Sequence, residues 1–115
     1  MATHQLIVLS NPTTTEREDE YNEWYEHTHL AEVLQVPGIV SAQRFAITAP
    51  GGAPQWRYAA AYDLETDDPM KLIGDLGQAV KTMNMSDSID GPNAGLWVLT
   101  PIGDRHVVDA KLSTG

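Results

Sequence analysis

Ile39-Val40-Ser41-Ala42-Gln43-Arg44-Phe45-Ala46-Ile47-Thr48 and Trp56-Arg57-Tyr58-Ala59-Ala60-Ala61-Tyr62-Asp63-Leu64 are joined by Ala49-Pro50-Gly51-Gly52-Ala53-Pro54. Both flanking segments read as strands, whose side chains alternate between faces with a period of two. The Gly/Pro-rich segment between them reads as a turn or flexible loop. Two strands on a short loop make an antiparallel hairpin. The first strand places Ile39, Phe45 and Ile47 on one face, with Val40, Ala42, Arg44 and Ala46 opposite. The second places Trp56, Tyr58, Ala60, Tyr62 and Leu64 on one face, with Arg57, Ala59, Ala61 and Asp63 opposite.

Upstream of the hairpin, Leu6-Ile7-Val8-Leu9 is a continuous apolar run that reads as a short strand buried on both faces and ended by Pro12. Thr15 and Glu18 have the spacing of a capping box, and acids fill the first helical turn. The helix so opened carries Tyr21, Trp24, Tyr25 and Thr28 on one stripe. Leu30, Val33 and Leu34 then fall on nearly the opposite side of the wheel, which predicts a break or kink near His27-Thr28-His29. Pro37-Gly38 closes the element. Downstream, Asp67-Asp68-Pro69 opens a second helix with the stripe Pro69, Ile73, Leu76, Val80 and Met83, interrupted by Gly74 and Gly77. These glycines cost helix stability and leave room for a backbone or a ligand to approach. Residues 84–93 read as a loop and Leu96 to Ile102 as a last strand.

The order is therefore β-α-β-β-α-β, an α+β, ferredoxin-like arrangement spanning residues 1–103, with 104–115 as a C-terminal arm or tail. Two helices cover one face of a four-stranded sheet. The other face is too apolar for water, so a second copy is expected to cover it, giving a homodimer through the sheet face.

The 115 residues suit one domain, and 42% apolar content suits a globular one. A net charge of −9 argues against nucleic acid and anionic membrane surfaces as partners. Without cysteine there is no disulfide framework, thiolate nucleophile or Cys-zinc site. No apolar run approaches the ~18–20 residues of a membrane span, and the N-terminus has no signal-peptide pattern, so a cytoplasmic protein is expected. No G-x-G-x-x-G, Walker loop or G-x-S-x-G occurs.

Tyr21-Asn22-Glu23-Trp24-Tyr25-Glu26-His27-Thr28-His29-Leu30, with Val36-Pro37-Gly38-Ile39 and Gln43-Arg44-Phe45 behind it, resembles the EthD-like dimeric α/β-barrel family. Tyr58-Ala59-Ala60-Ala61-Tyr62-Asp63-Leu64, with Asp67-Asp68-Pro69 behind it, is similar to that family's third strand and second-helix start. The resemblance covers roughly residues 3–102. It implies a ferredoxin-like protomer paired into a dimeric α/β barrel. The superfamily includes cofactorless monooxygenases, polyketide cyclases, haem-degrading enzymes and muconolactone isomerase. It also implies that His29 is the histidine ending the first helix and Arg44 the arginine of the second strand. Ala31 stands where the family often has proline.

Tyr25 and His29 lie one helical turn apart, and an imidazole beside a phenol suits general acid–base work near neutral pH. The plainer reading is a histidine packed at a kink. Arg44 stands between Ala42 and Ala46, small neighbours that leave room for a guanidinium to hold a carboxylate, enolate or phenolate. An ion pair with an acid is the alternative. Trp24, Trp56, Tyr58 and Tyr62 wall a pocket for a flat ligand if their face looks toward the helices, and an interface if it looks toward a partner sheet. His4 shares the alternation of Leu6 and Val8 and is a second polar candidate at the cavity end. The acid run from Glu16 to Glu26 reads as a solvated helix face. His27 and His29 diverge on a helix and Glu26-x-x-His29 lacks a second such motif, so no metal site is expected. The second helix carries no histidine to ligate haem, and no cofactor is expected.

The expected function is that of a small cofactor-independent enzyme. It would do acid–base chemistry of the cyclase, dehydratase, isomerase or lyase kind on a hydrophobic, aromatic or polyketide-like metabolite. His29 would be the acid–base, Tyr25 its partner and Arg44 the oxyanion or carboxylate anchor. The alternatives are a cofactorless monooxygenase of a phenol, using Asn11, Trp56 and a tyrosine, or a non-catalytic metabolite-binding accessory protein.

Overall fold

The computed structural model describes residues 2–109. Strands β1 (Thr3–Ser10), β2 (Ile39–Ala46), β3 (Tyr58–Glu65) and β4 (Gly95–Leu99) form one antiparallel sheet in the order β2-β3-β1-β4. Helices α1 (Glu18–Trp24) and α2 (Leu30–Val33) lie between β1 and β2, and α3 (Pro69–Val80) lies between β3 and β4. This is the ferredoxin-like β-α-β-β-α-β order. The expected tail is described as far as residue 109, where it has no regular structure; 110–115 lie outside the described residues.

Register fixes the two faces of the sheet. Leu6 opposes Tyr62 and Val98, and Val8 opposes Ala60 and Leu96. These residues face the helices, where Leu6, Tyr62 and Leu64 join Tyr21, Tyr25, Val33, Leu72 and Leu76 in the core. Burying one such aliphatic or aromatic side chain stabilises the fold by about 1.5–3 kcal/mol. On the other face Ile7 opposes Ala61 and Trp97, and Ala59 opposes Leu9 and Phe45. Phe45, Trp97 and Leu99 there are about half exposed.

Two local departures change the phase of the sequence pattern. A bulge between Ile39 and Ser41 places Ile39 opposite Leu64, on the helix side with Ala42 and Arg44, and leaves Val40 exposed. The expected break in the first helix is instead a π turn over Tyr25–His29, flanked by helical backbone at Trp24 and Leu30. Its extra residue rotates the downstream helix by about 100°, so the stripe of Tyr21 and Tyr25 continues into Leu30 and Val33. Both sets are buried in the same core.

α3 begins where Asp68 accepts the Lys71 backbone N–H at 3.0 Å and Pro69 takes the first turn. Gly38 has φ +99°, and a Cβ there would sit 3.2 Å from Leu72 Cδ2, so both backbone and space require glycine after Pro37. The last strand stops at Leu99, short of the expected Ile102, just before Pro101 removes a donor.

Candidate functional site

The helix face of the sheet, the π turn and α3 enclose an apolar cavity of about 220 Å³. Val8, Val33, Ile73, Leu76, Val80 and Leu96 supply its apolar wall, and Gly77 completes it on α3. Its polar side chains are His29, Tyr25 and Tyr62. The strand face that carries Tyr62 therefore looks toward the helices and lines a pocket.

His29 is buried. Its ring stacks on Trp24 with centroids 4.6 Å apart and meets the Tyr25 ring edge-on at 5.0 Å. Its Nδ1 is buried without a hydrogen-bond partner. An imidazolium needs acceptors for two N–H groups, so this surrounding favours the neutral ring. Burial accordingly lowers its pKa, opposed by the Glu32 carboxylate. The side chains of His29 and Tyr25 both stand on the π turn, four residues apart on one face, and line the same cavity.

Tyr25 and Tyr62 are almost fully buried. Burial raises the Tyr25 pKa well above its ordinary value, and the neighbouring phenols of Tyr62 and Tyr21 add to the effect. Burial also pushes Tyr62 up to about 12, against the lowering influence of its contact with Tyr25 and of the Arg44 charge. Both are therefore phenols at neutral pH, able to donate a hydrogen bond but not to accept a proton. The arrangement is one neutral base and two donors inside an apolar wall, where electrostatic interactions are stronger than in water.

Arg44 is not brought to the cavity. Its Nη2 donates to Asn22 Oδ1 at 2.7 Å and its Nη1 lies 3.9 Å from Glu26 Oε1. The guanidinium sits 4.7 Å from the Tyr25 ring centroid, with Tyr21 and Tyr58 at 5.5 and 5.4 Å. Asn22, one turn before Glu26 on the same helix, holds it among the aromatic rings, so its charge acts on the site through Tyr25 and Tyr62. Tyr58 belongs to the same polar group: its OH donates to Glu18 and accepts from Asn22 Nδ2 at 3.2 Å. Arg57 pairs with the same Glu18 carboxylate at 2.5 Å. Glu18 thus departs from the expected solvated face, its pKa lowered by the Tyr58 hydrogen bond first and by Arg57 as well.

Trp24 backs His29 and donates its indole N–H to the Asn84 carbonyl at 2.8 Å. Trp56 lies outside β3, donates to the Asn93 carbonyl at 2.8 Å and covers Gly95, away from the cavity. His4 is buried at the start of β1 with its Nδ1 2.9 Å from Thr100 Oγ1, in a separate depression lined also by Asp63 and Arg105. Asn11 accepts from Arg57 N at 2.7 Å and donates to the Gln55 carbonyl at 2.9 Å, fastening the hairpin loop. Sequence reasoning missed Val33, Leu76, Val80 and Leu96 as cavity wall, although the helical stripes containing the first three were visible in it. Among the described residues, no group of three or more His, Cys, Asp or Glu can hold a metal ion. No helix among them is long and apolar enough to cross a membrane.

No protein-family model matches the chain, and no curated protein matches it. Solved structures do share its fold. An EthD family protein from Bacillus halodurans C-125 is 14% identical with a TM-score of 0.56, covering 92% of this chain and 100% of its own. The haem-degrader MhuD from Mycobacterium tuberculosis, solved with two haems in its active site, is 15% identical with a TM-score of 0.62, covering 90% and 99%. A dimeric ferredoxin-like protein from Thermobifida fusca YX is 12% identical with a TM-score of 0.53, covering 87% and 92%.

Proposed function

We propose that this ferredoxin-like protein, of the fold it shares with the EthD family protein, is an enzyme that moves a proton on a small hydrophobic aromatic substrate held in the His29 cavity. The observation that carries this reading is a buried imidazole with an unpartnered Nδ1 and two buried phenols lining one apolar hollow. His29 removes a proton from carbon next to a carbonyl. Tyr25 and Tyr62 donate hydrogen bonds to the oxygen as charge develops on it. Isomerisation, dehydration and cyclisation all begin with this step. Arg44 is a positioning residue behind the phenols, and its charge favours negative charge near them. Trp24 holds the imidazole plane.

The hollow of about 220 Å³ exceeds the ~150 Å³ that admits benzene. It falls below the ~300–1,000 Å³ of drug-sized pockets, so it suits a compound of one or two rings. α3 offers it no histidine, and its volume supports a ligand smaller than haem. Asn11 and Trp56, the residues of the monooxygenase alternative, stand away from it.

The half-exposed Phe45, Trp97 and Leu99 on the outer sheet face support a homodimer closed through that face, as does the dimeric Thermobifida protein.

The test is exchange of substrate protons for deuterium, monitored by NMR in heavy water with a panel of one- and two-ring aromatic ketones. Wild-type protein is expected to catalyse exchange next to the carbonyl, and His29→Ala to slow it by about 10²–10⁴-fold. Equal exchange in the variant removes His29 from the chemistry. Binding of the ketones without exchange assigns the protein to metabolite carriage instead.

A further inference from the structure

We propose that Gly77 leaves open the rim of the His29 cavity and thereby admits a flat aromatic of two rings, whose second ring lies in the space a side chain would fill. This inference rests on the reading of that cavity as a ligand site. Among the residues lining the cavity, Gly77 and Leu96 are the exposed ones, and the others are buried or half-buried. The mouth therefore lies where α3 faces the edge strand β4.

Glycine within a helix is less stable than alanine, so its presence in α3 asks for a reason. Backbone conformation does not supply one: among the described residues, positive φ is confined to Gly38 and Gly52. Packing does not supply one either, since a Cβ on Gly77 would meet nothing within 4 Å. What a side chain would remove is the open space itself, and that space borders the cavity. With no side chain at 77, the second ring of a bound ligand has room beside the helix backbone. Any larger residue would fill that room. Gly74, one turn earlier, has equally open surroundings but lies outside the cavity wall, which makes it the natural control.

The experiment measures binding of 2-naphthol and of phenol by calorimetry to wild type, Gly77→Ala, Gly77→Val and Gly74→Ala. Wild type is expected to bind both. Gly77→Ala weakens 2-naphthol several-fold and Gly77→Val weakens it by about tenfold or more, the scale of one or two misplaced methyl groups in an apolar site. Phenol binding changes little, and Gly74→Ala leaves both affinities as they were. The two alanine variants also melt a few degrees higher than wild type, which shows that the folded state is intact. If wild type binds 2-naphthol and Gly77→Val binds it equally well, the role of Gly77 is overturned while the ligand site stands. An equal loss in Gly74→Ala overturns it too, because the effect then belongs to the helix and not to the mouth. If wild type binds neither compound, the ligand-site reading falls and this inference with it.

Discussion

The imidazole of His29 lies flat against the indole of Trp24, the two planes 23° apart and their centroids separated by 4.6 Å. Trp24 is itself tied to the Asn84 carbonyl, so the loop after α3 helps to orient the imidazole. Trp24→Leu removes both stack and tie. It is expected to lower stability by about 2–4 kcal/mol, in the range of large-to-small core substitutions. Water then reaches the ring, and the His29 titration midpoint moves up toward the ordinary histidine value. Proton NMR of the variant checks this; an unmoved midpoint would show that Trp24 does not shield the ring.

The depressed pKa of His29 has a definite sign in stability. The unfolded chain binds a proton near pH 6.5 that the folded chain accepts only at lower pH. Between the two values the unfolded state holds more protons, so stability rises with pH. The contribution is complete above about pH 6.5 and is lost as pH falls through the folded value. Thermal melts of wild type and His29→Gln from pH 5 to pH 8 are expected to diverge on the acid side, with wild type falling faster. The acid limb of any His29-dependent rate should likewise lie below the ordinary histidine midpoint.

Ser10 and Tyr21 share a buried hydrogen bond of 2.6 Å between β1 and α1. Ser10→Ala removes the serine partner of the Tyr21 phenol in the core, which costs about 1–3 kcal/mol. Tyr21→Phe in the same background removes the hydroxyl that Ser10 no longer meets. The double variant is expected to recover much of the loss in chemical denaturation, and a purely additive cycle would contradict the pairing.

Trp97→Glu places a charge on the exposed apolar sheet face, on the edge strand opposite Ile7. With that face closed by a second copy, the variant sediments as a single subunit while wild type sediments as a pair. Unchanged sedimentation of the variant would move the interface elsewhere.

Much of the fold was legible because its signals are local. The hairpin, the amphipathic stripe of α3 and the alternation of Tyr58, Ala60, Tyr62 and Leu64 each come from period and turn chemistry, and all three elements form. The π turn was half legible: the jump from the Tyr21–Tyr25 stripe to Leu30 and Val33 was visible, but a break and an added residue leave the same trace. The bulge at Ile39/Ser41 carries no glycine or proline to announce it. Pairing of Tyr25 with His29 at the cavity came from helical spacing, and Tyr62 from strand alternation. Capture of Arg44 by Asn22 could not be read, because it depends on how a helix crosses a strand distant in sequence. Trp56 was misplaced for a simpler reason: β3 begins two residues later, so alternation does not extend to it.

The π turn leaves the first helix one residue longer than its own pattern needs. Deleting Thr28 would turn Tyr21, Tyr25, Leu30 and Val33 into one unbroken seam of ordinary α-helix, a tidier element by every local rule. The imidazole, adjacent in sequence to Leu30, would turn with that seam and stand three residues from Tyr25 on the same helix face, still within its reach. The surplus residue is thus absorbed where it stands, and the shortened protein is expected to keep both its core and its imidazole–phenol pair.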